Sequence, residues 1–246
     1  MGCWHYRTII IFGSTEYENN RLNTSNLSPS TEVVILLHGL ARTNRSMLKI
    51  ESALKSAGYQ TYNCNYPSRK QAIELLSETF IGQAIEYCEQ TYSPQRIHFV
   101  THSMGGILTR YYLSQLRLKK LGRVVMLAPP NAGSELVDRL SGLQLFRLIN
   151  GPAAEQLGTA ESSLPNSLGA VDYEVGVIAG NKSVNVLTSA IIGEENDGKV
   201  STTSARLEGM TDYIVLPYTH TFMMNRSEVI EQTLSFLKNG AFQHSD

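Results

Sequence analysis

The residues around Ser103 are of the types that form a nucleophile for acyl transfer. The segment 99–106 reads FVTHSMGG, so an apolar run ends at a serine that has two glycines close behind it. A serine at a sharp turn between a buried strand and a helix projects its hydroxyl clear of the backbone. The helix N-terminus favours the negative charge that develops on the attacked carbonyl. The sequence therefore predicts Ser103 as a nucleophile, with an ordinary helix N-cap serine as the alternative.

A serine hydroxyl needs a neighbouring base before it can attack a carbonyl carbon. The chain has 6 histidines: His5, His38, His98, His102, His220 and His244. His220 follows the last predicted strand, and open α/β sheets bind ligands beyond the carboxyl ends of their strands. We therefore predict His220 as the general base. We interpret His38 as a residue that shapes its loop and His98 as a packed strand residue, and we expect His102 to point away from Ser103.

An acid must orient the imidazole, and with this kind of motif it falls between the serine and the histidine in chain order. The aspartates in that interval are Asp138, Asp172, Asp197 and Asp212. Asp197 lies in a turn-rich loop just after a predicted strand, whereas the others lie in an insertion or at the wrong ends of their strands. The sequence predicts Asp197, with Glu194 and Glu195 as the fallback acids. The alternative is a solvated turn aspartate, which is the usual role of an Asn-Asp-Gly sequence.

The elements that would position these side chains alternate between strands and helices. Apolar runs predict strands at Glu32–His38, Tyr59–Cys64, Arg96–Thr101, Arg123–Ala128, Val175–Ala179 and Tyr213–Leu216. Continuous apolar strands are typical of a parallel sheet that helices cover on both faces. The predicted fold class is therefore α/β, with a mostly parallel central sheet in a single domain that spans residues 1–246.

Residues 131–174 interrupt this alternation, and the interval is too long for an ordinary connection. Leu136, Leu140 and Leu143 have helical spacing, and Phe146 follows in a second apolar stretch. We predict a small helical cap at about residues 131–174, with these four side chains binding the acyl part of a substrate. The alternative is that the helices only pack on the domain, although long insertions are disproportionately functional.

Residues 32–238 resemble the α/β-hydrolase lipases and esterases of bacteria, because their motifs follow one another in the order found in that family. The matching segments are Leu37–Leu40, Thr101–Gly106, Asn196–Val200 and the region around His220. The resemblance implies the α/β-hydrolase fold, with Ser103 as nucleophile, Asp197 as orienting acid and His220 as base. In this fold the loop after the first strand supplies one N–H of the oxyanion hole, so Leu40 and Met104 are the candidate donors. Thr101 departs from the G-x-S-x-G pattern of the family, which has glycine there.

The reaction that these residues predict is the hydrolysis of carboxylic esters through an acyl-enzyme on Ser103. The expected partner is a small acyl ester, and no cofactor or metal is expected. A thioesterase or an acyltransferase could use the same side chains, and a non-catalytic binding protein could keep the same fold. The sequence leaves these alternatives open.

Composition excludes several other classes of protein. The chain has 246 residues and a net charge of −1, from 21 basic and 22 acidic residues, which argues against nucleic-acid binding. Its 3 cysteines are too few for a disulfide framework or a zinc site. No apolar run approaches the roughly 20 residues of a membrane-spanning helix. We expect a cytoplasmic protein, with a secreted form that has lost its leader as the alternative. The sequence does not predict the acyl chain, the alcohol or the oligomeric state.

Overall fold

Six parallel strands form one sheet at the centre of the part of the chain that the computed structural model describes. That part is residues 31–142 and 144–244, with only the backbone of 145–147. The strands are β1 Glu32–Leu37, β2 Gln60–Cys64, β3 Arg96–His102, β4 Leu121–Leu127, β5 Val175–Gly180 and β6 Asp212–Leu216. Their order across the sheet is β2-β1-β3-β4-β5-β6, and every neighbouring pair is parallel. The predicted α/β class and the six predicted strands are confirmed.

Helices connect the strands along the chain. Those that pack on the sheet are α1 Leu48–Ser56, α2 Ile73–Leu76, α3 Gly82–Tyr92, α4 Met104–Gln115 and α10 Ser227–Asn239. A π-helical turn at Ser77–Ile81 joins α2 to α3, so the three form one continuous helical segment. Short 3-10 turns at Asn44–Met47 and Met223–Asn225 precede α1 and α10.

The sheet has an apolar layer on each face. Alternate residues of a strand point to opposite faces, so Val33, Ile35 and Leu37 of β1 pack in one layer while Val34 and Leu36 pack in the other. Helices α2, α3 and α4 cover the first layer, and α1 and α10 cover the second. This double coverage explains why the strands read as continuous apolar runs rather than as an alternating pattern.

β4 begins earlier than the sequence predicts because a glycine makes room for a buried histidine. The apolar run predicts a start at Arg123, but the strand begins at Leu121. A Cβ atom at Gly122 would lie 2.6 Å from the His98 ring. The backbone N–H of Arg123 donates to His98 Nδ1 at 2.8 Å. His98 is therefore a packed strand residue, as predicted, and burial lowers its pKa to about 4.

The insertion between β4 and β5 is helical. It contains the short helices α5 Glu135–Leu140, α6 Gln144–Asn150, α7 Pro152–Glu155 and α8 Leu164–Ser167. The buried Arg110 of α4 ties down both ends of this insertion. Its guanidinium donates to the Asn131 carbonyl oxygen at 2.9 Å and to the Gly169 carbonyl oxygen at 2.8 Å. Burial lowers the pKa of Arg110 to about 10, so the side chain stays charged at neutral pH.

One further helix, α9 Val186–Ile192, lies in the loop that follows β5 and was not predicted. Val186 and Leu187 at its start, and Val184 just before it, are exposed apolar side chains. Because these residues do not face the core, their spacing does not produce the pattern of an amphipathic helix packed on the domain.

Candidate active site

Ser103 occupies a strained turn between β3 and α4. Its backbone has φ +53° and ψ −124°, a region that residues other than glycine rarely adopt. Two glycines let the chain pass close to this turn. A Cβ atom at Gly105 would lie 2.7 Å from the Leu37 carbonyl oxygen, and one at Gly39 would lie 3.1 Å from the Ser103 Cβ. The turn presents the Ser103 side chain at the surface of a cavity.

Thr101, in the position where the motif has glycine, is compatible with this turn. Its side chain is fully buried. Its hydroxyl oxygen would lie 3.4 Å from a Cβ atom at Gly106, the second glycine after the serine. Gly106 therefore leaves the space that the larger threonine side chain needs.

The structure brings Ser103, His220 and Asp197 into one hydrogen-bonded chain. The Ser103 Oγ lies 3.0 Å from His220 Nε2, and His220 Nδ1 lies 2.7 Å from Asp197 Oδ2. The three residues follow β3, β6 and β5 respectively, so all lie at the carboxyl edge of the sheet. With Nδ1–H donating to the carboxylate, Nε2 is left to accept the serine proton.

Backbone groups hold the Asp197 carboxylate in place. Its Oδ1 accepts hydrogen bonds from the N–H groups of Lys199 and Val200, both at 2.9 Å. The Asp197 carbonyl oxygen also accepts the N–H of His220 at 3.0 Å. Because these bonds fix the loop to the histidine, the carboxylate is oriented toward the imidazole before a substrate binds.

The fallback acids lie elsewhere. Glu194 and Glu195 are both exposed. Glu195 Oε1 accepts a hydrogen bond from Asn181 Nδ2 at 3.0 Å, and neither glutamate contacts His220. Of the acids weighed from the sequence, Asp197 alone contacts the imidazole within the described residues.

His102 supports the backbone of His220 instead of contacting the Ser103 hydroxyl. Its Nε2–H donates to the His220 carbonyl oxygen at 2.9 Å, and the two ring centroids lie 4.9 Å apart. Burial and the neighbouring His220 lower the pKa of His102 well below its usual value, so this ring is neutral. His102 makes no hydrogen bond to the Ser103 hydroxyl within the described residues, but it lines the same cavity as the serine, so its predicted direction away from Ser103 stays a prediction. Its bond to His220 was not foreseen.

His38 shapes the loop after β1, as predicted. Its ring stacks on Tyr66 with 4.0 Å between centroids, and its Nδ1 lies 2.9 Å from the Gly39 carbonyl oxygen. The Tyr66 hydroxyl donates to the His38 carbonyl oxygen. These contacts position the backbone of Leu40 beside the serine.

The amides of Leu40 and Met104 remain available to a ligand. The N–H of Ala41 donates to Ser68 Oγ at 3.1 Å and the N–H of Arg42 to the Gly39 carbonyl oxygen at 3.3 Å. No described residue accepts a hydrogen bond from the amide of Leu40. Met104 is the first residue of α4, where amides have no acceptor in their own helix.

A cavity of about 130 Å³ lies over Ser103. Its apolar wall consists of Leu40, Leu136, Val137, Leu157 and Val200, and the charged residues Arg42 and Lys199 also line it. A second cavity of about 560 Å³ adjoins it and shares Leu136, Lys199 and His220. Val137 belongs to the apolar stretch Leu136–Ile149 that was expected to line or cover an acyl pocket. Neither Leu157 nor the two cations were predicted, because no local spacing marks them.

The four residues predicted to bind substrate differ in where the structure places them. Leu136 lines both cavities. Leu140 lies one turn further along α5 and lines neither of them, so the expected contact is absent from this structure. Leu143 and the side chain of Phe146 lie outside the described residues.

Other kinds of site were sought in the same parts of the chain. Residues 31–142 and 144–244 contain no group of histidine, cysteine and acidic side chains that could hold a metal ion. No helix within those ranges is long and apolar enough to span a bilayer. Cys64 and Cys88 are buried free thiols, and burial raises the pKa of each to about 12. Cys3 lies outside the described residues.

A parallel sheet with a serine on a strained strand–helix turn, and with His and Asp side chains from later loops, defines the α/β-hydrolase fold. The family model described as "PGAP1-like alpha/beta domain" matches residues 28–236. The chain therefore belongs to the PGAP1-like alpha/beta domain family. A comparison with curated proteins finds no match.

Solved structures of lipases and esterases share this fold. The propeptide form of the Bacillus licheniformis lipase BlEst2 is 17% identical, with a TM-score of 0.71 over 89% of this chain and 52% of that chain. Its mature form is 19% identical, with a TM-score of 0.64 over 85% of this chain and 90% of that chain. A Listeria innocua protein, the product of the gene lin2722, is 20% identical, with a TM-score of 0.59 over 88% of this chain and 97% of that chain.

The resemblance to bacterial α/β-hydrolase lipases and esterases is thus confirmed in family and fold. The chain spans about half of the propeptide form of the Bacillus lipase, 52% of its length. At these identities the likeness establishes the fold.

Proposed function

We propose that this protein hydrolyses carboxylic esters through an acyl-enzyme on Ser103. The observation that carries the proposal is the position of His220 between two partners. Its imidazole lies 3.0 Å from the Ser103 Oγ and 2.7 Å from the Asp197 carboxylate. A serine in contact with an oriented base is the arrangement that activates a hydroxyl for nucleophilic attack.

In the first step the Ser103 oxygen attacks the ester carbonyl carbon while its proton moves to His220 Nε2. Asp197 holds the imidazole in the required tautomer and stabilises the imidazolium that forms. The tetrahedral intermediate collapses when the bond to the alcohol oxygen breaks. That oxygen takes the proton from His220 and leaves as the free alcohol, and the acyl group remains on Ser103.

Two backbone amides would stabilise the negative charge on the carbonyl oxygen during this step. The N–H groups of Leu40 and Met104 are the proposed donors, since each lies next to the turn and neither has an acceptor among the described residues. Donors of this kind typically contribute about 10²–10³-fold each to the rate.

Water completes the cycle by attacking the acyl-enzyme. His220 now takes a proton from the water molecule and returns it to the Ser103 oxygen as the acid is released. The reaction needs only protein side chains, backbone amides and water.

Residues 131–174 are proposed as a cap over this site. Leu136 and Val137 of α5 and Leu157 after α7 form part of the cavity wall over Ser103. An apolar wall of this kind binds an acyl chain through the burial of hydrocarbon. We therefore assign acyl binding to Leu136. Ser103 is partly exposed in this structure, so the proposed cap leaves the serine accessible.

A panel of 4-nitrophenyl esters of graded chain length tests the proposed function. We expect hydrolysis of the butyrate ester without a detergent or lipid interface, because Ser103 already contacts His220 and is reached from solvent through an existing cavity. Comparing the rates with and without detergent micelles tests whether hydrolysis proceeds without an interface. Absence of hydrolysis for every ester in the panel, with folded protein, would overturn the proposal.

A further inference from the structure

Two basic side chains line the cavity over Ser103. Arg42 lies in the loop after β1, and Lys199 lies two residues after Asp197 in the loop after β5. Both border the same 130 Å³ space as the serine hydroxyl and the His220 ring. The mechanism proposed above uses neither of them.

Neither cation has a carboxylate partner. Within residues 31–142 and 144–244, the only polar contact of the Arg42 guanidinium is a hydrogen bond of 3.1 Å to the Thr221 carbonyl oxygen. No carboxylate in those ranges lies within ion-pair distance of the Lys199 ammonium. The nearest acid in sequence, Asp197, already accepts bonds from His220 and from two backbone N–H groups.

The two cations influence each other and the site. Desolvation lowers the pKa of Lys199, the nearby Arg42 charge lowers it further, and the Asp197 carboxylate raises it by less. Both cations also add to the lowering of the His102 pKa, for which burial and His220 are the larger causes. Their positive field therefore extends to His102, next to the nucleophile in sequence.

This concentration of positive charge is local. The chain as a whole has a net charge of −1. The adjoining 560 Å³ cavity nevertheless adds Lys182 and Arg226 to Lys199 along its wall. Several cations around one cleft attract a charged substrate of the opposite sign.

We infer that Arg42 and Lys199 form a subsite for an oxyanion carried by the substrate, either a carboxylate or a phosphate group close to the scissile ester. Two unpaired like charges in a partly apolar cavity repel each other, and a bound anion removes that repulsion. A guanidinium offers a planar pair of donors to such a group, and an ammonium offers a compact point charge. The inference rests on the proposed function, since it specifies which esters that function would favour.

Two matched pairs of esters test the subsite and locate the anion. The first pair is 1-butanoylglycerol 3-phosphate and 1-butanoylglycerol, which differ only in a phosphate on the alcohol side. The second pair is mono-4-nitrophenyl adipate and 4-nitrophenyl hexanoate, which differ in a carboxylate on the acyl side. For at least one pair we expect wild-type kcat/KM to be about tenfold higher for the anionic ester, the magnitude of a hydrogen bond to a charged group.

Lys199→Gln should reduce that anionic-to-neutral ratio about tenfold. Lys199→Arg retains the positive charge and should therefore keep most of the wild-type ratio. Lys119→Gln makes the same change at an exposed lysine in the loop before β4 and should leave the ratio unchanged. Increasing salt should lower the wild-type ratio, because ions screen the attraction.

The inference is wrong if neither anionic ester is preferred by the wild type. It is also wrong if Lys199→Gln and Arg42→Gln both leave the ratio at its wild-type value. In either case continued hydrolysis of the neutral esters would leave the proposed function standing. If no ester of either charge is hydrolysed, the proposed function fails, and the subsite fails with it.

Discussion

Replacing Ser103 by alanine is expected to lower kcat/KM for 4-nitrophenyl butyrate by about 10⁴-fold or more. The substitution removes the atom that forms the acyl-enzyme, and no other hydroxyl is placed 3.0 Å from His220 Nε2 in the described residues. The remaining amides and the cavity can still bind an ester, so some residual rate above that of water is expected. Initial rates over a range of substrate concentrations measure the effect.

Ser114→Ala is the matched control for this substitution. Ser114 is an exposed serine near the end of α4, and its hydroxyl donates to the Tyr111 carbonyl oxygen at 2.7 Å. The Ser114→Ala variant should retain wild-type turnover. Circular dichroism and thermal unfolding should show that the Ser103→Ala protein is folded. Activity of the folded Ser103→Ala variant within tenfold of the wild type would remove Ser103 from the mechanism.

Asp197→Asn is expected to lower kcat by about 10⁴-fold while leaving the loop folded. The amide oxygen can still accept the N–H groups of Lys199 and Val200 that the carboxylate Oδ1 accepts now. The amide nitrogen would instead donate to His220 Nδ1 and so place the imidazole proton on Nε2. In that tautomer His220 cannot take the proton of Ser103.

Glu194→Gln and Glu195→Gln are the matched controls, because each neutralises an exposed acid of the same loop. Both should keep kcat close to that of the wild type. Steady-state kinetics on the three variants decide between the acids. Near-normal kcat for Asp197→Asn, together with a crippled glutamine variant, would show that the wrong acid was assigned.

The sheet and the approach of the serine to the histidine could be predicted because they follow from local signals. Apolar runs mark strands buried on both faces. Once the strands are parallel, the segments that follow β3, β5 and β6 must meet at one edge. Ser103 and His220 are separated by 117 positions, yet each lies in the segment that follows such a run.

The choice of Asp197 depended on chain order and on its place after the carboxyl end of a predicted strand, and not on the residues around it. Its carboxylate is selected in the structure by backbone contacts within the loop, including the bonds from Lys199 and Val200 and the bridge between Asn196 and Ser201. Such contacts have no signature in the order of residue types. An Asn-Asp-Gly sequence reads the same whether its aspartate orients a histidine or lies in a solvated turn.

The features that sequence reasoning missed arise from the meeting of distant loops. His102 contacts the backbone of His220, which lies 118 positions away. Arg42 and Lys199 line one cavity although they come from the loops after β1 and β5. Because neither relationship depends on helical or strand periodicity, only the tertiary structure reveals it. The same holds for Leu157 in the cavity wall.

The account depends on Ser103 being an activated nucleophile, and covalent labelling with a fluorophosphonate probe measures this without assuming any substrate. Such probes react with a serine that an adjacent base activates. Peptide mass spectrometry of the labelled protein is predicted to find the phosphonyl group on Ser103, and to find no such adduct in protein that was heat-denatured before labelling. Folded wild-type protein that stays unlabelled, or that carries the label on another residue, would contradict the account.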